Sequence, residues 1–235
     1  LMISGDRALT EGKRGAFYNT LEEFHKHWDR IDIICPKSNT RNLPPQPLNL
    51  FGNVFIHPSP WPLIFQPLWI LKKGKLIYKE QKFNLVTVHE YPPFYNGIGA
   101  RLLWNKIKVP YILEIMHIPG HPKSGSFKES FYKNLMRWFI KCDSLRAEKI
   151  RVINKNQTPP FLIKNGIPAN KIFYIPAFYI DLNVFYPKEL EKEYDLIFVG
   201  RLAENKGINL FLETALQLGV RTVIVGDGPL KEKIK

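Results

Sequence analysis

Cysteine and long apolar runs are scarce in this sequence. Only two cysteines, Cys35 and Cys142, occur among 235 residues, and they lie far apart in apolar surroundings. This scarcity excludes a disulfide scaffold and predicts two buried thiols in a reducing compartment. The most apolar stretch, 61–71, contains Pro62 and Pro67 and is shorter than the roughly 20 residues that a membrane-spanning helix needs. With no signal peptide visible, we expect a cytoplasmic protein.

Complete glycine-rich nucleotide motifs are also missing. The Gly-Lys pair at 12–13 lacks the earlier glycine and the following Ser or Thr of a P-loop. The glycine pairs at 97–99 and 226–228 are followed by Leu102 and Lys231 where a dinucleotide fingerprint has its third glycine. A nicotinamide enzyme is therefore poorly supported, and we expect no cofactor.

Two pairs of closely spaced histidines occur, but in neither pair would a helix bring both side chains to one metal ion. His117 and His121 are four residues apart, yet Pro119 and Gly120 between them argue against a helix that would align them. His25 and a second histidine two residues later do not share a helix face. No metal site is predicted.

Acidic residues are outnumbered by basic ones. The chain has 34 Lys and Arg against 21 Asp and Glu, a net charge of +13. This excess favours polyanionic partners, namely nucleotide diphosphates, anionic lipid surfaces or nucleic acid. Because the charge is dispersed and no RNA-binding aromatic motif or zinc finger occurs, we do not expect nucleic acid as a partner.

Short apolar runs alternate with helical patterns along the chain. This alternation predicts a doubly wound α/β domain over 1–176, a linker over 177–193, and the start of a second β-α-β unit over 194–235. Strands are predicted at 1–4, 31–35, 53–56, 84–88, 111–116, 149–153, 172–175, 196–199 and 223–225. Helices are predicted at 17–28, 61–82, 96–106, 126–142 and 158–165, and a further helix is predicted to begin at 206–207 and to include Leu210, Ala215 and Leu218. The stretch 38–47 is predicted as a loop.

The cleanest helical pattern spans 126–142. Its apolar residues recur at helical spacing and form one stripe: Phe127, Phe131, Leu135, Trp138 and Cys142. We expect this stripe to pack on the sheet, as helices of α/β domains require. The basic residues on the other side, Lys128, Lys133, Arg137 and Lys141, would then be solvated. Contact of these charges, and of the lysines within 72–82, with an anionic membrane leaflet is the alternative.

The segment 194–230 carries two apolar runs, 196–199 and 223–225, around a helix with Leu210, Ala215 and Leu218 on its apolar side. Gly200 and Arg201 follow the first run, and Lys206 stands where the helix begins. Ligands of open parallel sheets bind at this end of the strands, where a helix N-terminus attracts anions. Arg201 and Lys206 suit a diphosphate, although two ordinary solvated side chains remain the alternative.

These residues carry a family resemblance. FVGRLAENKG at 198–207 and VIVGDGPL at 223–230 resemble the nucleotide-sugar domain of family-4 retaining glycosyltransferases, which have the two-domain GT-B fold. KIFYIPAFYIDLNVFYP at 171–187 is similar to the family's interdomain segment, with Asp181, Phe185 and Pro187 in the matching places. Ala177 and Phe178 stand where the family usually has Asn-Gly.

The resemblance implies a Rossmann-like N-terminal domain followed by the first β-α-β unit of the donor domain. It implies metal-independent transfer, with retention, from a nucleotide-diphosphate sugar to a glycan or lipid-linked acceptor, as in cell-envelope glycan synthesis. Gly200, Arg201 and Lys206 would bind the donor diphosphate, His117 would be catalytic, and Gly12 and Gly15 would shape the acceptor side. Both chain ends look cut, and the family's paired-glutamate motif does not occur, so we expect an inactive or very weak fragment. Transfer to a lipid-linked acceptor is compatible with peripheral association of the protein at the inner membrane face.

A non-catalytic α/β module that binds polyanions or anionic membranes is the alternative function. The net charge of +13 supports it.

Overall fold

The computed structural model describes residues 1–38, 48–121, 124, 127–176 and 182–234. The chain divides into two compact units, 1–179 and 180–235. The division falls within the segment predicted as a linker. Of the residues that carry the resemblance in this segment, Ala177, Phe178 and Asp181 lie outside the described residues. Phe185 and Pro187 are exposed.

The first unit is built on an eight-stranded sheet. Its strands are β1 (Met2–Ile3), β2 (Ile31–Cys35), β3 (Leu48–Leu50), β4 (Val54–Pro58), β5 (Val86–His89), β6 (Tyr111–Ile115), β7 (Lys149–Val152) and β8 (Ile172–Tyr174). They run in the order β3-β4-β2-β1-β5-β6-β7-β8. All neighbours pair in parallel except β3, which is antiparallel to β4. Isoleucine, valine and leucine dominate the central strands, as expected for strands buried on both faces.

The edge strand β3 was not predicted from the sequence. It has three residues, with Asn49 between two leucines, and follows the proline-containing stretch 44–47. A run this short carries too little alternation to distinguish a strand from a loop.

Helices cover both faces of this sheet. They are α1 (Ala16–Phe24), α2 (Gln66–Glu80), α3 (Tyr95–Ile107), α4 (Phe127–Ser144) and α5 (Thr158–Lys164). Ile33 of β2 packs in a cluster with Leu21 of α1, whereas its neighbour Ile34 packs in the cluster that contains residues of α2, α3, α4 and α5. Successive strand residues point to opposite faces. The helix α1 therefore lies on the face of the sheet opposite to α4.

The apolar stripe predicted for α4 is wrong in part. Met136 and Ile140 are the buried apolar residues of this helix, and Leu135 of the predicted stripe packs against the same cluster. Phe127, Phe131 and Trp138 are exposed. Apolar side chains occupy more than one stripe of the helix, and both stripes have helical spacing. Only one can face the sheet, and periodicity alone does not distinguish between them.

The second unit contains one β-α-β element. Strands β9 (Leu196–Val199) and β10 (Thr222–Val225) pair in parallel and are connected by α6 (Ile208–Leu218), and a short helix, α7 (Lys231–Ile234), follows. Ile208 is the buried residue of α6. The expected apolar side is wrong in part, because Leu210 and Leu218 are exposed.

The two cysteines differ in their surroundings. Both thiols are free, but only Cys35 is buried, and Cys142 is partly exposed, contrary to the prediction. Burial raises the pKa of the Cys35 thiol, which keeps it protonated and unreactive. Among the described residues, no helix is long and apolar enough to cross a bilayer.

Candidate functional site

The strand order of the first unit reverses at β1, which lies between β2 and β5. Open α/β sheets bind ligands in the crevice beyond the carboxyl ends of the strands at such a point. Gly5 follows β1, and Tyr91 follows β5 by two residues. A Cβ on residue 5 would lie 2.0 Å from the ring of Tyr91. The two loops are therefore in direct contact, and a side chain at position 5 would force them apart.

Two histidines lie at this edge of the sheet. His89 is the last residue of β5 and is partly buried, and His117 follows β6 by two residues and is exposed. Burial lowers the pKa of His89, and the charge of the nearby His117 lowers it further, whereas Glu114 and Asp6 oppose this. His89 is thus favoured as a neutral imidazole that can accept or donate a hydrogen bond.

Three charged residues missed by the sequence analysis belong to the same edge. Arg151 of β7 forms an ion pair with Glu114 of β6, with 2.6 Å between Nη1 and Oε1. Arg151 also donates to the carbonyl oxygens of Ile175 and Pro176. Asp6, which follows β1, acts electrostatically on His89. Their parallel strands are far apart in sequence, and only the register of the sheet brings them together.

The predicted acceptor loop follows β1 at the same edge. Gly12 ends a short helical turn in the left-handed conformation, with φ of 69°, which glycine adopts without strain. Gly15 precedes α1 in an extended conformation. No described atom lies within 4 Å of a Cβ placed on either residue. The backbone of this loop is therefore open to close approach by a ligand, although the conformation of Gly15 does not itself require glycine.

Behind the β5 loop lies a pair of buried carboxyl groups that the sequence analysis did not identify. Glu90 follows β5 and Asp143 lies on α4, and both are almost inaccessible. Glu90 Oε2 and Asp143 Oδ2 lie 1.9 and 2.5 Å from the position that a Cβ on Gly97 would take. Neither oxygen has a hydrogen-bond partner among the described residues. Burial raises the pKa of both groups, that of Asp143 to about 7, and their mutual repulsion raises that of Glu90 well above its usual value.

This carboxyl pair lies beneath the loop that carries Tyr91. The Tyr91 N–H donates to Glu90 Oε1 at 3.2 Å. Tyr111 donates its hydroxyl proton to the carbonyl oxygen of Asp143. The pair therefore connects the loop after β5 to α4 and β6, and it buries two acidic groups that are most stable when protonated.

In the second unit, the predicted donor residues lie together at one end of the sheet. Gly200 follows β9 and donates its N–H to the carbonyl oxygen of Val225 at 3.0 Å. Arg201 is the next residue, and Lys206 lies two residues before α6 begins. Both basic side chains are exposed, and neither forms an ion pair within the described residues. Two unneutralised cations therefore lie at the carboxyl end of a parallel strand, beside an eleven-residue helix.

The two strand-ending loops of this unit pack closely together. A Cβ on Gly226 would lie 1.9 Å from the carbonyl oxygen of Gly200, and one on Gly228 would lie 2.4 Å from that of Leu202. The Leu202 N–H donates to the carbonyl oxygen of Asp227 at 2.9 Å. The glycines of the 223–230 motif thus hold the β9 loop, and with it Arg201, against the end of β10.

Within the described part of the chain, no group of three or more His, Cys, Asp or Glu side chains is arranged to hold a metal ion.

Comparison with known proteins places this geometry in context. No family model matches the chain. It is 27% identical over 195 residues to the uncharacterized glycosyltransferase MJ1178 of Methanocaldococcus jannaschii, and the match covers 80% of this chain and 50% of that protein. The chain therefore spans about half the length of this curated relative.

Solved structures share the fold at low sequence identity. HepE from Anabaena, in complex with UDP and glucose, superimposes with a TM-score of 0.63 at 13% identity, covering 99% of this chain and 62% of HepE. UDP-GlcNAc 2-epimerase from Neisseria meningitidis, bound to UDP-GlcNAc, has a TM-score of 0.53 at 12% identity, covering 99% of this chain and 66% of the epimerase. The prediction of fold class is confirmed: the chain has the Rossmann-like α/β architecture of GT-B proteins, and its sequence is similar to that of a glycosyltransferase.

Proposed function

We propose that this chain belongs to a glycosyltransferase that uses a nucleotide-diphosphate sugar, with UDP as the nucleotide. The observation that carries the proposal is the pair of exposed, unneutralised cations Arg201 and Lys206 at the carboxyl end of β9. Support comes from the sequence similarity to a glycosyltransferase and from the fold shared with HepE in complex with UDP and glucose.

Arg201 and Lys206 would act on the leaving group. When the bond between the sugar and the diphosphate breaks, negative charge accumulates on the departing phosphate oxygen. A guanidinium can bind two phosphate oxygens at once, and an ammonium adds a mobile positive charge. Because these charges interact most strongly with the leaving group as it develops, they lower the barrier without a metal ion.

The first unit would supply the acceptor side. His117, exposed beyond β6 and close to His89, would position the sugar and act as the catalytic histidine. The open backbone at Gly12 and Gly15 would accommodate a hydroxyl-bearing acceptor, a glycan or a lipid-linked precursor. Retention of configuration, membership of family 4 and a role in cell-envelope glycan synthesis are part of this proposal and follow from the sequence resemblance.

Titration calorimetry of the full-length protein with UDP and GDP tests the donor site. We expect UDP to bind, and we expect Arg201→Ala and Lys206→Ala each to weaken binding by about 1 to 3 kcal/mol, the usual contribution of a hydrogen bond to a charged group. Arg221→Ala is the matched control, because Arg221 precedes β10 at the amino end of the strands and pairs with Asp195. Its affinity for UDP should equal that of the wild type.

Three results would contradict the proposal. The first is that neither nucleotide binds, and the second is that all variants bind UDP as tightly as the wild type. The third is that Arg221→Ala loses as much affinity for UDP as Arg201→Ala and Lys206→Ala do. Binding of GDP in place of UDP, with the same dependence on Arg201 and Lys206, would keep the reaction class and change the nucleotide.

A further inference from the structure

The buried carboxyl groups of Glu90 and Asp143 have three oxygens without partners in the interior of the first unit. Glu90 Oε2 and both Oδ atoms of Asp143 accept no hydrogen bond from the described residues. The exposed fraction is 3% for Glu90 and 0% for Asp143. Because buried polar atoms in folded proteins are nearly always paired, three such oxygens at one place require a physical explanation.

The backbone of α3 allows the two carboxyl groups to meet. Glu90 Oε2 and Asp143 Oδ2 both lie within 2.5 Å of the point that a Cβ on Gly97 would occupy. The two oxygens are therefore close neighbours, and a side chain at position 97 would displace them. Two ionised carboxylates at such a distance repel each other, whereas a proton between them forms a short, charge-assisted hydrogen bond.

The nearby positive charge faces Asp143. Arg101 lies one turn beyond Gly97 on α3, and its Nε is 3.8 Å from Asp143 Oδ1, the oxygen that points away from Glu90. Glu90 instead meets backbone N–H groups, those of Tyr91 and Gly97. A negative charge is therefore most stable on Asp143, and the proton of the pair is most stable on Glu90.

The other titratable neighbours within the described part of the chain leave this assignment unchanged. Tyr111 of β6 donates its hydroxyl proton to the carbonyl oxygen of Asp143, so that proton does not join the two carboxyl groups. The charge of Arg146, beyond α4, acts on Tyr111. Burial and the charge of Asp143 raise the pKa of Glu90 well above its usual value, which agrees with a protonated Glu90 at neutral pH.

We propose that Glu90 keeps its proton at and above neutral pH, donates it from Oε2 to Asp143 Oδ2, and thereby holds the loop 90–94 against α4. A protonated carboxyl group is a hydrogen-bond donor, and its bond to a carboxylate is stronger than one between neutral groups. The charge of Arg101 balances that of Asp143, so the pair adds no net charge to the interior.

This hydrogen bond positions one wall of the candidate site. The ring of Tyr91 lies where a Cβ on Gly5 would be, so the loop 90–94 also holds the segment that follows β1. His89, at the start of the loop, lies close enough to His117 for the charge of His117 to act on it. The acid pair is buried and touches no ligand itself. It positions this edge of the sheet whichever ligand binds there, so the inference does not rest on the proposed function.

Infrared spectroscopy of the full-length protein at about pH 8 tests which group carries the proton. Ordinary carboxyl groups are ionised at this pH, so the carbonyl stretch of a protonated carboxyl group reports the exceptions. The wild type should show one such band that Glu90→Gln lacks. Glu22→Gln, which changes an exposed carboxyl group of α1, should leave the band unchanged. Arg101→Gln should add a second band, because Asp143 without its counter-charge also takes up a proton.

Hydrogen exchange of the same protein tests whether the bond holds the loop. Glutamine at position 90 can still donate an N–H to Asp143, whereas leucine has a similar size and cannot donate. Glu90→Gln should therefore keep exchange in 90–99 within about twofold of the wild type, and Glu90→Leu should raise it at least about tenfold. Exchange in 4–10 should rise with it, because Tyr91 then holds Gly5 less firmly, and exchange in β4 should not.

Tyr91→Leu is the matched control for the far end of the loop. It should raise exchange in 4–10 and retain the infrared band of Glu90. Three results would overturn the proposal: a wild-type infrared band that Glu90→Gln keeps, equal exchange in Glu90→Gln and Glu90→Leu, and a rise in Glu90→Leu that is as large in β4 as in 90–99. The infrared comparison decides the matter even where Glu90→Leu fails to fold.

Discussion

At the scale of single residues, the buried carboxyl pair Glu90 and Asp143 makes stability depend on pH. Asp143 releases its proton near pH 4 in the unfolded chain, but burial raises its pKa to about 7 in the folded protein. Between these values the folded state binds more protons than the unfolded state. The free energy of unfolding therefore falls as pH rises through this window, and Glu90 acts in the same direction.

Substitution of the pair should remove this dependence. We expect Glu90→Gln/Asp143→Asn to unfold at nearly the same urea concentration from pH 5 to about pH 8, because the amides keep the size of the carboxyl groups and do not titrate. The wild type should lose stability over this range, on the order of a few kcal/mol. Urea titrations followed by circular dichroism measure both.

Glu22→Gln, which replaces an exposed carboxyl group of α1, is the control and should keep the pH dependence of the wild type. A double variant with the same slope as the wild type would show that the two groups do not carry the effect.

The same residues show why much of the site escapes sequence-based prediction. The sequence placed His117 at the end of a strand, because apolar runs and their ends are local features. Glu90, Asp143 and Gly97 are ordinary residues in three different elements, and no spacing relates them. Only the packing of the β5 loop against α3 and α4 brings two carboxyl groups together, and their burial and the charge of Asp143 beside Glu90 then raise the pKa values.

At the scale of elements, α4 shows that helical periodicity predicts a helix without predicting which of its sides is buried. The sequence predicts the helix itself within one or two residues at each end, because a strong apolar period identifies a helix. It gave the wrong buried side, because Phe, Trp, Met, Ile and Leu lie on more than one stripe. The side of α4 that carries Met136 and Ile140 packs against the sheet and α3.

Paired truncations should separate the two sides of α4. Met136→Ala should lower the free energy of unfolding by about 2 to 4 kcal/mol, because it removes a buried side chain and leaves a cavity. Phe131→Ala should change it by less than about 0.5 kcal/mol, since the ring is largely exposed. Chemical denaturation measures both, and a larger loss for Phe131→Ala would reverse the assignment of the buried side.

At the scale of the whole molecule, the two units differ in how completely they bury their strands. The central strands β5 and β6 have neighbours on both edges and helices above them. The pair β9–β10 carries exposed apolar residues on its outer side, such as Ile197 and Val199. Local unfolding is easiest where few apolar contacts hold the backbone hydrogen bonds.

Hydrogen exchange should therefore separate the units. We expect the amides of 196–199 and 222–225 to exchange much faster than those of 86–89 and 111–115, as measured by mass spectrometry of peptic fragments. Saturating UDP should slow exchange in the 198–207 segment more than in β6, because a ligand protects the unit that binds it. Equal protection of both sheets without ligand would mean that the outer side of β9–β10 is covered in solution.

Patterns along the chain were enough to predict the class of the fold, the number and order of most elements, and the residues at the carboxyl ends of β6 and β9. These depend on local patterns: apolar runs, helical spacing, and the glycine and basic residues that follow a strand. The resemblance that supports the proposed function also lies in such local motifs.

Tertiary structure alone decided the pairing of distant residues and the side of each helix that is buried. The antiparallel edge strand β3, the Glu114–Arg151 ion pair and the carboxyl pair of Glu90 and Asp143 depend on contacts between segments far apart in sequence. Contacts with distant segments also determine which side of α4 is exposed. The physical reason is that burial and electrostatic interaction depend on neighbours in space, and a sequence pattern reports only neighbours along the chain.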